Sequence, residues 1–516
     1  MLKINKQRTK GITLLALVIT IIVLLILAGV TIVTLTGDNG ILSNATKSKE
    51  ETQYKNAGEK VKLAVAGSYD ETGNMNEERL QTEVERIGGE LIIEGNDVTV
   101  EIEGYSFPVD LVLETGPVEQ PENTPEYWEA TRKTDSEWYS YRDIASNTKA
   151  RVKAPQLKGN MMPIKYIGEE QTGSKWANAM TKDGSMWVWI PRYAYKITEG
   201  YHTSTVGTIE IAFLDTNNKF LNSSDTGVIE TDPSKITYTN NSQDQWLVHP
   251  AFTLDPKNGG GFGELAGMWV AKFEASGTDE TNLAVKPGVS SMRSKTANQF
   301  YHYGQEATYG ETQNLNSHMM KNSEWGAVAY LTHSKYGRNK EELAINTSSS
   351  FYTGGATDKN AIYTTNKNQS TTNNATGIYD LSGGSWEYTA SYINNKHTNL
   401  QTFGGIVAGD LYGETEEEQN RSTASKSVYV MENVDGQSVN YEANKSVKGD
   451  AVYETSSSYS ESNSWNVNHS SFPYSSYSVF KRGGGYGSGS RAGSFSFDND
   501  TGASYNTVSF RPMLAF

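Results

Sequence analysis

From Ile12 to Leu35 the chain reads ITLLALVITIIVLLILAGVTIVTL, 24 residues without a charge. As a helix this run is about 36 Å long, against a bilayer hydrocarbon core of about 30 Å, so it is predicted to span a membrane. Lys3, Lys6, Arg8 and Lys10 precede it with no acid among them, and acids follow it. That asymmetry places the N-terminus in the cytoplasm and everything beyond Leu35 outside, in a single-pass protein. The apolar core of a cleaved secretory signal is shorter, about 7–15 residues, and ends in a small-residue A-x-A site. No such site follows Leu35, which leaves an uncleaved signal anchor or a cut ahead of the run.

The net charge is −15, and setting aside the four cations of the first ten residues leaves −19 for the remainder. No basic stripe interleaved with aromatics occurs after residue 10, so no nucleic-acid surface is expected. The absence of cysteine removes disulfides, thiolate nucleophiles and thiolate-bound metals from consideration.

After a break at TGDNG (36–40), the Lys/Glu/Ala-rich stretch from Ile41 to Tyr69 sets Val61, Ala64, Val65 and Gly67 near one face at helical spacing, as in a helical stem. Asn76–Arg86 reads as a short helix, and ELIIEG, DVTVEIEG and YSFPVDLVL read as three strands. A proline- and acid-rich segment then reads as a self-repelling linker. All ten tryptophans and 27 of the 30 tyrosines lie beyond Pro125, which marks a second kind of domain. Its short aromatic runs alternate with Gly/Ser/Asn/Thr segments, so the expected class is α+β with many short strands and dominant coil. The divisions expected are a leader (1–11), a transmembrane and stem helix (12–70), a small β head (71–113), a linker (114–126), a stretch that is either an extra subdomain or part of the next unit (127–185), and a large outer domain (186–516).

Gly11 directly before the apolar run, in KGITLLALVIT, resembles the type IV prepilin family. The resemblance implies cleavage by a prepilin peptidase between Gly11 and Ile12, methylation of Ile12, and other pilins as partners. The family usually carries Glu at the fifth mature position, where it pairs with a neighbouring subunit's N-terminus. Here that position is Ala16, which weakens the case for a standard filament.

The outer domain resembles the formylglycine-generating, sulfatase-modifying family of the C-type-lectin-like fold. The residues that carry the likeness are MWVWIPRYAY (186–195), MWVAKFEAS (268–276), NSEWGAVAYL (322–331), GIYDLSGGSWEYTASY (377–392), VFKRGGGY (479–486) and SFRPMLAF (509–516). Trp269, Trp325 and Trp386 are read as core aromatics, and Glu324 and Glu387 as partners of backbone groups. Glu387 is also a weak calcium candidate by resemblance, although Gly384 stands where the family's calcium site has Asn; no other cofactor is expected. The family's copper-binding cysteines fall near Ser488 and Gly493, so that chemistry cannot occur here. The seven histidines, His202, His249, His302, His318, His333, His397 and His469, form neither an HxH nor an HExxH pairing. The expectation is therefore a non-enzyme.

The segment GGGYGSGSRAGSFSFDNDTGASYNTVSFRPML is rich in Tyr, Ser, Gly, Asn and Asp, a composition that binding loops favour. In phages and bacteria this fold carries C-terminal segments diversified by retroelements, and the likeness extends to that composition. The ligand-binding candidates are Tyr486, Ser488, Ser490, Arg491, Ser494, Ser496, Asp498, Asn499, Tyr505 and Asn506. These readings converge on a cell-surface, pilin-like adhesin or minor pilin that binds an extracellular protein or glycan. The alternatives are a structural pseudopilin and a surface enzyme.

Overall fold

The computed structural model describes residues 77–94, 97–109, 128–130, 138–166, 173–355, 363–404 and 422–516, with scattered helical positions between 53 and 65 and a turn at Ser68. The leader, Gly11, Ile12, the apolar run 12–35 and the linker 114–126 lie outside the described residues. Among the described residues no helix is long and apolar enough to cross a membrane. The architecture is mixed α+β, rich in sheet with few helices, and the chain divides into two compact units, 1–118 and 119–516.

In the first unit the expected short helix runs Glu77–Arg86 and the three strands are Glu90–Glu94, Asp97–Ile102 and Tyr105–Pro108, paired as an antiparallel meander. The helix ends where Gly88 takes a left-handed φ of 79°, its N–H bonding Glu85 O while Gly89 N–H bonds Val84 O. Val100 and Ile102 point inward from alternate positions of the middle strand and bury against Leu80 and Val84. Ala57, Val61, Ala64 and Val65, described at helical positions, complete that core, so the expected apolar stripe is a packed one.

In the second unit the largest sheet has seven strands, in the spatial order Ser317–Met319, Pro512–Leu514, Gly267–Ala271, Met186–Pro191, Asn178–Met180, Met162–Tyr166 and Trp128–Ala130. The stretch 127–185 thus shares a sheet with the strand at 186. Met186–Pro191 and Gly267–Ala271 are buried at every position, which their unbroken apolar runs demand. Trp189 and Trp269 pair across them with ring centroids 5.2 Å apart.

The helix Asn322–His333 is buried along its whole length. Gly326 makes this possible, because a Cβ there would meet Gly449 O at 2.0 Å. Glu324 accepts from Lys321 N–H (2.8 Å) and from His318 Nε2 (3.0 Å), so it does bond backbone. A second sheet is built on Trp386–Ile393, flanked by Ser427–Tyr429 and Val479–Gly483, with Gly493–Asp500 outside the latter and Val508–Phe510 also pairing Trp386–Ile393. This sheet carries the C-terminal candidates.

Candidate functional site

Lys481 and Asp498 are opposite one another on the antiparallel strands Val479–Gly483 and Gly493–Asp500. The Lys481 ammonium is 3.1 Å from Asp498 Oδ2 and 2.8 Å from Asp500 Oδ2. His469, alongside in the chain that bridges Phe497, brings Nε2 to 3.3 Å from Asp498 Oδ1. Beneath them lies Trp386, its ring centroid 5.1 Å from Lys481 Nζ and 6.0 Å from the His469 ring. Burial disfavours both charges here, but each outweighs it in the other: Asp498 and Asp500 hold the Lys481 ammonium above its ordinary value, and His469 with Lys481 holds the Asp498 carboxyl below its own. Tyr388 OH donates to Asp500 Oδ1 (2.7 Å) and fixes the far end of the row.

Trp386 is a correction to the expectation of a core aromatic. Trp269 and Trp325 are buried, whereas Trp386 is half-buried at the start of its strand. Seven described tryptophans, Trp325 among them, donate the indole N–H to a protein acceptor. The Trp386 N–H has no such acceptor among the described residues.

The loop that follows Val479–Gly483 rises beside this group. Gly484 has φ 81°, and a Cβ there would meet Ala492 Cα at 2.6 Å, so the backbone turns tightly where only glycine fits. Gly485 passes the edge of the Trp386 indole, and its N–H is held by Ser488 Oγ at 2.9 Å. Tyr486 is exposed at the tip, its ring edge-on to Phe351 at 5.1 Å, and Arg293 stacks on Phe351 at 4.0 Å while bonding Asn506 O at 2.5 Å. Tyr505 is exposed, with its hydroxyl 3.2 Å from Thr501 Oγ1, and Ser490 and Arg491 are exposed, Arg491 3.7 Å from Glu461.

The structure therefore gathers Tyr486, Ser488, Tyr505 and Asn506 around one loop edge and Asp498 in the charged row. Ser494 and Ser496 are corrected: both are buried, because Gly493–Asp500 is covered on both sides over its first five residues. Asn499 is also spent internally, its amide donating to Ser471 Oγ (2.8 Å) and Phe472 O (3.0 Å). Lys481, His469 and Trp386 were absent from the sequence-derived set. The cross-strand pair Lys481–Asp498 follows from a hairpin register that residue types alone do not fix.

Glu387 is corrected as a calcium ligand. Its carboxylate is fully buried and takes both oxygens to Arg511, Nη2–Oε1 2.6 Å and Nε–Oε2 3.0 Å. Gly384 has φ 72°, and a Cβ there would lie 2.5 Å from Glu274 Oε1, so the asparagine of the resembled site has no room. Among the described residues no group of three His, Asp or Glu side chains is disposed to hold a metal ion.

Two other polar clusters are internal. Glu454 accepts from Tyr195, Tyr330 and Tyr238 hydroxyls and from Gly449 N–H. Lys272 Nζ is enclosed by Tyr166, Tyr363 and Tyr379 and donates to Asn178 Oδ1, Ala375 O and Gly377 O at 2.6–2.7 Å. Both bring buried charge into balance with hydrogen bonds, as interior polar groups require. No protein-family model matches the chain, and no curated protein matches it.

Proposed function

We propose that this is a non-catalytic, membrane-anchored, pilin-like surface protein whose outer domain binds an extracellular protein or glycan. The observation that carries the reading is the exposure of two tyrosines on loops of a buried sheet, Tyr486 on the glycine turn after Val479–Gly483 and Tyr505 between Gly493–Asp500 and Val508–Phe510. Tyrosine on a rigid support supplies contact area at small entropic cost, and the flanking Ser488, Ser490 and Asn506 supply hydrogen bonds. The apolar run 12–35 and the four preceding cations support display outside the cell. Gly11 ahead of Ile12 supports the prepilin route, and the fold resemblance supports a recognition role while the missing cysteines remove the family's copper chemistry.

The test is to present the full-length protein in lipid nanodiscs to arrays of glycans and extracellular proteins. Saturable binding that Tyr486→Ala or Tyr505→Ala weakens at least tenfold is expected. No binding on either array, or binding indifferent to both substitutions, removes the reading. Intact-mass analysis of the native membrane protein decides the anchor separately: loss of residues 1–11 with a methyl group on Ile12 is expected, and an intact Met1 removes the prepilin route.

A second reading, a structural subunit of a filament or secretion system, is supported by the helical positions 57–65 packed on a three-stranded sheet in the first unit. Co-purification with a filament and silence on both arrays would favour it.

A further inference from the structure

Arg293 ties the loops of the two exposed tyrosines together. Its guanidinium stacks on the Phe351 ring, 4.0 Å from the centroid, and Tyr486 meets the same ring edge-on at 5.1 Å. Arg293 Nη1 donates to Asn506 O (2.5 Å) and Nη2 to Ser290 Oγ (3.2 Å), while the N–H of the next residue, Ser294, donates to Tyr505 O (3.0 Å). The segment 289–294 thus reaches the Tyr486 loop through Phe351 and the Tyr505 loop through its own backbone and guanidinium.

The contact is strained. Phe351 has φ 58° and Ser294 φ 60°, left-handed conformations that residues with a side chain seldom adopt and bulky ones least of all. Strain of this kind persists where the surroundings fix a side chain for use, and here it sets the Phe351 ring under the guanidinium.

The contact is also unbalanced in charge. Arg293 is half-buried, yet among the described residues no carboxylate lies within ion-pair distance of it, in a chain with 60 acids against 45 lysines and arginines. Burial lowers the guanidinium from its ordinary value and Glu274 opposes that shift. Glu274 is itself buried, with its carboxyl raised well above the ordinary value, so it holds a proton rather than the charge that would balance Arg293. Each terminal nitrogen of Arg293 has given one hydrogen and keeps another, while Nε–H is buried without a partner.

A planar guanidinium held by stacking and two hydrogen bonds is set for a carboxylate, whose geometry matches its own. The surroundings favour one source for that group. Val289, exposed on the same segment, joins Tyr486 and Tyr505 in offering apolar and aromatic area, and tyrosine with arginine is the pairing that anchors protein interfaces. A polyanionic glycan carries charge along its whole length and is repelled by a chain of net charge −15, whereas a protein can bring one acid among neutral or basic neighbours.

We infer that Arg293, stacked on Phe351 between the Tyr486 and Tyr505 loops, receives an aspartate or glutamate side chain of an extracellular protein. This rests on the proposed reading of the outer domain as a binder and names the group it recognises.

The experiment selects a displayed library of random linear peptides on the full-length protein in nanodiscs and measures the selected peptides by calorimetry, with oligogalacturonate alongside as an acidic sugar. The selected peptides are expected to share an Asp or Glu, and its replacement by Asn or Gln to weaken binding about tenfold or more, as loss of a hydrogen bond to a charged group does. Arg293→Gln is expected to abolish the difference between acid and amide peptides, and Arg293→Lys, which keeps the charge without the planar stack, to reduce it. Should Arg293→Gln lose its native circular dichroism, the peptide substitutions on the unaltered protein and the Arg293→Lys variant carry the test. Selected peptides with no shared acid, or an acid-to-amide difference that survives in folded Arg293→Gln, overturn the inference; if those peptides still weaken with Tyr486→Ala or Tyr505→Ala, the proposed function stands. Oligogalacturonate bound through Arg293 with no acidic peptide selected overturns it in favour of an acidic sugar. Silence of the library together with the glycan and protein arrays overturns both the inference and the proposed function.

Discussion

Arg511 holds Glu387 through two hydrogen bonds, 2.6 and 3.0 Å, with neither side chain exposed, and donates two further N–H groups to Ala271 O and Tyr379 O. Asp380 and Glu274 lie in the same interior, Asp380 taking Gly354 N–H and Asn346, and Glu274 taking Ser385 N–H. Burial pushes the Glu387 carboxyl up to about 7, opposed by Arg511 and reinforced by Asp380. Removing the cation while leaving the acid is therefore the costly change. Arg511→Leu is expected to lose about 3–5 kcal/mol, and Arg511→Leu combined with Glu387→Leu to lose less than Arg511→Leu alone, measured by urea unfolding.

Glu274 supplies a pH test. Burial, with Asp380 and Glu387 adding to it, raises its carboxyl well above the ordinary value, so the folded protein holds a proton that the unfolded chain releases near pH 4.3, roughly. Its stabilising contribution is complete below that pH and is lost as pH rises toward the folded value. Glu274→Gln keeps an acceptor for Ser385 N–H and cannot ionise. The stability of Glu274→Gln relative to the parent is expected to increase from pH 5 to pH 8; a difference that stays flat across that range would show Glu274 ionised at pH 5.

Two histidines act in the opposite sense at the acid end. Burial lowers His249 to about 3 and His333 to about 4. Both are neutral in the fold, so their contribution is complete above the ordinary histidine value, about 6.5, and is lost as pH falls through that value toward 4 and 3. His333 Nε2 lies 3.0 Å from Gly207 O, and its ring packs on Trp465 and Phe495. His333→Gln is expected to lower stability at pH 7 yet flatten its decline between pH 6 and pH 4, read by thermal melts.

Gly326 packs the helix Asn322–His333 directly on backbone, since a Cβ there would stand 2.0 Å from Gly449 O. Gly326→Ala gains helix propensity but must displace a backbone segment, and overpacking of this kind costs about 1–3 kcal/mol. A net loss of stability is expected in urea unfolding. An unchanged midpoint would mean that the 449 segment moves freely.

The first unit was legible in the sequence because its elements follow from local pattern. Val98, Val100 and Ile102 alternate along one strand, and Gly88 and Gly104 mark the helix end and the hairpin. In the second unit the strands at 186, 267 and 386 announce themselves as apolar or aromatic runs, and the helix Asn322–His333 falls on the segment NSEWGAVAYL quoted for the family likeness. Their neighbours do not, since Pro512–Leu514 pairs with Gly267–Ala271 across more than two hundred residues. The site was readable to the same extent. Tyr486 and Tyr505 stood out by composition, whereas the grouping of His469, Lys481 and Trp386 depends on three segments meeting. Ser494 and Ser496 look like surface residues by type and are buried only because both sides of their strand are covered.

Pro512–Leu514 lies between Gly267–Ala271 and Ser317–Met319, inside the widest sheet. The order of synthesis thus constrains the order of assembly: strands made hundreds of residues earlier keep an open edge until residue 514 arrives. Until then that open edge is a template for wrong pairing, and a stop codon a few residues upstream would leave the sheet without the strand that joins Gly267–Ala271 to Ser317–Met319.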